Sequence, residues 1–262
     1  MGKYSQYRMF ARDPLIRRHL PDTALCRTPS VLEAYLDKYK SVFIKPSGGM
    51  KGIGVIKAWR EGSALYYVVE RGRPVPCSSA QDMFGKLGLR ARPAHIVQRD
   101  LQLAPVHGRP FDVRVMMIRN TRKRWTFAGM LAKVAGADSV ITNVDRGKGY
   151  VLPIDDALRL GLGIDGARAA NLKSEIVRLA SRCNRVFDRF RYEWQMGYDI
   201  GIDRSGRIWL IEANPSIPSH ALFRKLPDLA LYRSIKRMDA AYRRAIKHAA
   251  GRAHARSINN AR

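Results

Sequence analysis

The sequence predicts an α+β chain folded as two lobes around a shared cleft. Three observations predict it. Strand-length and helix-length apolar segments mix without regular β–α–β alternation, which favours α+β layers over a doubly wound sheet. The 262 residues, 46% of them hydrophobic, suffice for one compact unit of two lobes or for two small domains sharing a cleft. A glycine-rich loop early in the chain and a carboxylate-bearing hairpin near its end read as two halves of one site.

Taken in order, residues 1–30 read as irregular, with Pro14, Pro21 and Pro29 as breakers. Ser30 followed by Glu33 three residues on is a capping-box pattern that opens a helix over 31–40. SVFIKP (41–46) reads as a strand ended by Pro46. GVIKAWR and ALYYVVER then read as two strands of a hairpin, followed by a helix near 79–87 and a strand in AHIVQRDL. FDVRVMMIRN and WTFAGMLAKVAG are long β-rich runs. Over 167–190, Leu172, Ile176, Leu179, Cys183 and Phe187 make one apolar helical stripe. YEWQMGYDIGID and RIWLIEANP are strands around Arg204-Ser205-Gly206. From Pro227 the chain reads as basic helix, packing through Leu231, Ile235, Met238 and Tyr242 before it frays.

The charge is lopsided: 48 Lys and Arg against 22 Asp and Glu give a net of +26. Such a field draws nucleic acid, anionic lipid, acidic peptide or nucleotide phosphates; spread along most of the chain, it also fits a solvated basic surface. No apolar run nears the roughly 20 residues of a bilayer span, and MGKYSQYRMFARD has no secretory h-region. Cys26, Cys77 and Cys183 form no CxxC pair, which points to buried thiols in a reduced, cytoplasmic setting.

The most informative segment is 197–215. With a turn centred on Ser205 and Gly206, Asp203 faces Ile208 and Asp199 faces Glu212. Alternation puts Glu212 and Asn214 on one face and sends Trp209, Ile211 and Ala213 to the core. Facing carboxylates repel, and a divalent cation between them reverses the sign. Two carboxylates and an amide oxygen suit Mg²⁺. The alternative is an ordinary amphipathic hairpin with a solvated polar face. Upstream, Lys45 ends an apolar strand and can meet phosphate as a point charge. Gly48, Gly49, Gly52 and Gly54 follow, with Lys51 among them. Glycine lets backbone N–H groups approach phosphate closely. Walker A and GxGxxG patterns are both absent, so a simple hairpin turn also fits this loop.

Lys-Pro, glycine loop, apolar strand with Gln, Asp-x-Arg, Asp and Glu-x-Asn, in that order, resemble the ATP-grasp superfamily. Within it, GKYSQYRMF, HLPDT, VFIKPSGGMKGIGV, HIVQRDL, GRPFDVRV, TNVDRGKG and GYDIGID…GRIWLIEANP resemble the spore-coat-associated YheC/YheD type. The resemblance implies an ATP-grasp fold of two α+β lobes clasping ATP and lacking most of an N-terminal pre-ATP-grasp domain. A substrate pocket truncated or completed by a partner is therefore expected. It divides the chain into an N-terminal segment (1–30), a small lobe with the glycine loop (31–97), a large lobe with the metal site (98–226) and a basic tail (227–262). It implies that Lys3 and Lys45 contact ATP phosphates. Ser47 to Gly54, with Gly48, Gly49, Lys51 and Gly52, would close over the β- and γ-phosphates. Gln98, Arg99 and Leu101 would form the hinge strand whose backbone edge receives adenine. Asp112 and Arg114 match the Asp-x-Arg pair, with Arg114 steadying the transferred group. Asn143 would line the catalytic cleft, and Asp199, Glu212 and Asn214 would hold Mg²⁺ or Mn²⁺. Lys148 stands where such relatives carry a second adjacent glycine.

The implied activity is a Mg-ATP-dependent carboxylate–amine or carboxylate–thiol ligase working through an acyl phosphate. An acidic peptide or protein is a candidate substrate, and spore association is a candidate setting. The rivals are a kinase on the same fold, a non-catalytic coat-associated protein and a polyanion binder. Against nucleic-acid stacking, the tail offers only Tyr232 and Tyr242 as aromatics.

Overall fold

The computed structural model describes residues 1–48, 53–90, 94–215, 218 and 220–259, with side chains through 247. The first thirty residues are not irregular. Helices α1 (Lys3–Phe10) and α2 (Pro14–Arg17) precede strand β1 (Thr23–Leu25). Pro14 is no breaker here. It sits in the first turn of α2, where a missing N–H does no harm, and Asp13 caps that helix by accepting from the N–H groups of Leu15 and Ile16.

The smaller sheet runs β1–β6–β2–β3–β4–β5. It is built from β2 (Ser41–Pro46), β3 (Ile56–Glu61), β4 (Ala64–Val69), β5 (Val75–Cys77) and β6 (His95–Arg99). The β3–β4 hairpin turns at Gly62, whose φ of 59° suits glycine. Helices α3 (Pro29–Tyr39) and α4 (Ala80–Lys86) bring Leu32, Leu36, Met83 and Phe84 to the core of this lobe. The cap of α3 is Thr28 rather than Ser30: its hydroxyl accepts from the N–H of Val31, and Pro29 takes the first helical position that its fixed φ favours. Strand β6 crosses the border expected at 97/98 and pairs on both sides within the smaller sheet.

The larger sheet runs β10–β9–β8–β11–β12: β8 (Arg109–Arg119), β9 (Trp125–Val134), β10 (Tyr150–Leu152), β11 (Gln195–Ile202) and β12 (Ile208–Pro215), with the short β7 (Pro105–Val106) on β8. One face packs on α1, α2, α5 (Ile154–Leu162) and α6 (Gly166–Phe187). The stripe of α6 is buried as the periodicity predicts. The other face is covered at one end by a 3₁₀ turn (His220–Lys225) and the first half of α7 (Ala230–Asn259). Ile235 and Tyr242 are buried there, and Leu231 and Met238 pack beside them. All three cysteines are buried thiols. Among the described residues no helix is long and apolar enough to cross a membrane.

Period-2 alternation explains why this face becomes a site. Along β8, Val113, Val115 and Met117 point to the helical core, while Asp112, Arg114, Met116 and Ile118 share the opposite face. The apolar end of that row lies under α7, and the polar end opens into the cleft. On β11, Tyr198 and Ile200 go inward and Asp199 goes to the cleft.

Candidate active site

A cleft of about 1160 Å³ lies between the lobes. Backbone register fixes its acidic floor. Asp199 is opposite Glu212 on β12 and opposite Arg114 on β8, and Asp112 is opposite Lys133 on β9. The expected pairing of Asp199 with Glu212 is therefore present. The expected pairing of Asp203 with Ile208 is not: Ile208 faces Ile202, because a bulge leaves Ile211 as an extra residue on β12. A one-residue bulge inverts the faces beyond it. Ile208 and Leu210 thus join Ala213 in the core, while Ile211 lines the cleft. Trp209 is buried outside that core, donating to Asp203 Oδ2 at 2.9 Å under the guanidinium of Arg207.

The floor carries a compact charge cluster. Arg114 grips Asp199 through Nε and Nη2 at 2.7 and 3.1 Å. Lys133 Nζ lies 2.9 Å from Asp199 and 3.0 Å from Asp112. Thr142 donates to Asp112 Oδ2, and Asn214 donates to Asp199 Oδ2 at 3.3 Å. Burial opposes ionisation of Asp199, but Arg114 and Lys133 outweigh it and hold the carboxyl well below its ordinary range. Burial and the charge of Asp199 push Asp112 up to about 6 against the pull of Lys133. Lys133 itself, despite burial, is raised by the two aspartates. Lys133 and Thr142 are not among the residues that the sequence motifs single out. The available signal for Lys133 was a lone cation inside the apolar run WTFAGMLAKVAG.

Two lysines approach from the other side. Lys3 opens α1, and its Nζ meets Glu212 Oε1 at 2.6 Å. The backbone N–H of Lys3 donates to the carbonyl of Ser47 at 2.7 Å, and a Cβ on Gly2 would come within 3.0 Å of Ser47 Oγ. That close approach explains glycine at position 2. Lys45 Nζ donates to Gln98 Oε1 at 2.6 Å, and Gln98 donates in turn to Thr23 Oγ1. Burial lowers Lys45 to about 8; Glu212 opposes that fall and Lys3 adds to it.

Lys3, Lys45, Ser47, Gly48, Gln98, Arg114, Asn143, Asp199, Glu212 and Asn214 all line this one cleft. Gly49, Lys51 and Gly52 lie outside the described residues. Gly54, Arg99 and Leu101 are not among the residues that line the cleft. Gly54 commits its N–H to Glu70 Oε1 at 2.8 Å and does not line the cleft. Arg99 stacks on Tyr39 and Trp209 instead of entering the cleft, and Leu101 is buried away from it. The backbone of Gln98 and Arg99 has no open edge, since β1 and β2 take both sides of β6. Gln98 reaches the cleft by its side chain, and Asp100 and Gln102 line it just beyond the strand.

Asp199, Glu212 and Asn214 offer oxygen donors only, a set that fits a hard divalent cation. The two carboxylates are at present met by the protein's own cations, Arg114, Lys133 and Lys3, while Asn214 donates to Asp199. A metal there would share or displace those contacts.

The model of the YheC/D-like ATP-grasp family matches residues 1–246. The endospore coat-associated protein YheD of Bacillus subtilis (strain 168) is 24% identical over 229 residues, covering 85% of this chain and 49% of YheD. YheC of the same organism is 21% identical over 218 residues, covering 82% of this chain and 59% of YheC. The chain thus spans about half the length of these relatives. The ATP-grasp ligase PsnB, solved with a minimal precursor, Mg and ADP, superposes with a TM-score of 0.52 at 11% identity, covering 93% of this chain and 59% of PsnB. The C-terminal domain of K. lactis Pby1, an ATP-grasp enzyme, gives 0.52 at 17% identity, covering 88% and 68%. These likenesses show the fold. Two antiparallel sheets facing one cleft, and a family model that takes in all but the last residues, place this chain in the YheC/D-like ATP-grasp family.

Proposed function

We propose that the cleft binds ATP with a divalent cation and activates a carboxylate as an acyl phosphate, which an amine or thiol then captures. The observation that carries this reading is the convergence of Lys3 and Lys45 with Arg114, Lys133, Asp199 and Glu212 in one cavity. Four cations there can offset triphosphate charge, and two carboxylates with Asn214 can hold Mg²⁺ or Mn²⁺. When bound, such an ion supplies electrostatic stabilisation of phosphate oxygens.

The chain's own residues do the rest by positioning and charge. Lys45 and Lys3 bind the phosphates, and Arg114 steadies the phosphoryl group in transit. The substrate carboxylate oxygen bonds to the γ-phosphorus as the bond to ADP breaks. The nucleophile then bonds to the acyl carbon, loses its proton, and inorganic phosphate leaves. The nearby Asn143 orients the reacting carboxylate or its phosphate. An acidic peptide suits the basic surface as a carboxylate donor. The relatives' coat association suggests a spore setting, which fractionation of sporulating cells would test.

Calorimetry with ATP and Mg²⁺, followed by ADP release in the presence of amino acids or acidic peptides, tests the reading. Saturable ATP binding with equal yields of ADP, phosphate and amide or thioester is expected. No ATP binding at millimolar nucleotide overturns it, and a stable phosphorylated product instead of free phosphate assigns the chain to the kinase class.

A further inference from the structure

Away from the floor, the lobes are joined along one side by a short strap. Strand β4 ends at Val69, and the next residue, Glu70, takes φ 56°, a left-handed conformation that suits glycine far better than glutamate. Strain kept at a non-glycine residue asks for a reason. The Glu70 carbonyl accepts from the N–H of Val140 in the large lobe at 3.0 Å, and Arg71 bridges Ser139 in antiparallel fashion. The carboxylate faces two ways. Oε1 accepts the N–H of Gly54 at 2.8 Å, and the guanidinium of Arg146 approaches both oxygens at 2.8 to 3.1 Å. The backbone N–H of Arg146 then donates to Asn143 Oδ1 at 3.0 Å. Asn143 lines the cleft.

We propose that Glu70 is a positioning residue that ties Gly54 in the small lobe to the large-lobe loop carrying Asn143, so that the two cleft walls hold one spacing. The proposal rests on the reading of the cleft as an ATP site, but the link itself can be tested without nucleotide. A bare turn would favour glycine at position 70. Glutamate keeps the strained backbone and adds a charge-assisted bond to a backbone N–H together with a forked pair to arginine. That arrangement makes the Gly54 amide sensitive to Arg146, a side chain it does not bond.

Amide exchange of the full chain, read residue by residue by NMR, tests this in the absence of ATP. In Arg146→Ala the Gly54 amide is expected to exchange about tenfold faster, and in Glu70→Gln the Val140 and Arg146 amides should quicken similarly, since local opening tracks the bonds that oppose it. Glu70→Gly separates strain from linkage: it relieves the backbone yet should quicken both segments. Unchanged Gly54 exchange in Arg146→Ala, or wild-type protection of both segments in Glu70→Gly, overturns the proposal. ATP titrated into the same proteins gives a second readout. If the wild type binds, Glu70→Gln should bind about tenfold more weakly, as loss of one charge-assisted contact implies. If the wild type does not bind, the ATP reading fails while the exchange result still decides the strap.

Discussion

Lys45 combines a buried ammonium with a position facing Lys3, and its proton is already loosely held, with a value near 8. A bound triphosphate would raise that value. Affinity should therefore be full below pH 8 and fall as pH rises above it, because binding then has to recruit a proton. Lys45→Arg should flatten that limb, and Lys45→Met should weaken ATP about 10- to 100-fold at pH 7, in line with a lost charge-assisted contact; calorimetry across pH 6.5–9.5 checks both. Lys133 answers to a different measurement. It is the ammonium between Asp112 and Asp199, and Lys133→Met should cost about 3–5 kcal/mol in urea unfolding at pH 7, as for one partner lost from a buried pair. Asp112, raised to about 6 from an ordinary 3.8, favours folding in its protonated form, so its contribution falls as pH rises from about 4 to 6. The Lys133→Met deficit should accordingly shrink at pH 5, and Asp112→Asn should relieve part of it at pH 7. At this scale the sequence displays Asp199 and Glu212 through hairpin register and Lys45 as the end of an apolar strand, while Arg114 stands out only through the family resemblance. The sequence hides Lys133, whose meaning depends on a third strand brought alongside by tertiary pairing.

Elements were legible in proportion to their periodicity and their stop signals. The stripe of α6 is visible in the sequence because every three or four residues return to one buried face. Helix α1 and strand β10 are not: α1 is polar and basic and draws its order from tertiary contact, while β10 is three residues long. The bulge at Ile211 was beyond reading, since single-residue insertions leave no trace in an alternating pattern of mostly apolar residues. The loop joining β9 to β10 shows how closely such connections are set. A Cβ on Gly136 would lie 2.0 Å from the carbonyl oxygen of Gly147 and 2.6 Å from that of Lys148. Gly136→Ala should push the 139–149 loop aside, destabilise by about 1–3 kcal/mol as overpacking does, and weaken ATP binding through the displaced Thr142 and Asn143. Lys148 sits at φ 51°. Lys148→Gly should be neutral or stabilising by under about 1 kcal/mol, because relief of left-handed strain roughly offsets the entropy glycine loses on folding. Thermal unfolding of the two variants should move in opposite directions or leave only Gly136→Ala shifted.

At the scale of the molecule, the two lobes keep separate buried cores, the smaller around Leu32, Leu36, Met83 and Phe84 and the larger around Phe111, Ile176 and Tyr198. Few apolar groups need bridge them for the cleft to exist; the strap at Glu70 and the N-terminal helix do so instead. The N-terminal helix is the plainest case, since Lys3 contacts Ser47 in one lobe and Glu212 in the other while Phe10 is buried in the larger core. A ligand that touches both walls should therefore act as the missing cohesion. At nucleotide concentrations 100 times its Kd, mass action adds about 2.7 kcal/mol. For a chain of this size that is a rise in Tm of roughly 5–11 °C, at about 2–4 °C for each kcal/mol. Differential scanning calorimetry should show that rise with ATP and Mg²⁺. Apo protein whose lobes unfold separately would give two transitions, and nucleotide should then draw the lower toward the upper. Lys45→Met, binding about 10- to 100-fold more weakly, should lose about half of the shift or more at the same nucleotide concentration. A Tm indifferent to nucleotide, with the wild-type fold intact, would mean that the opposed charges are neutralised within the protein alone and that the cleft is not built for a polyphosphate.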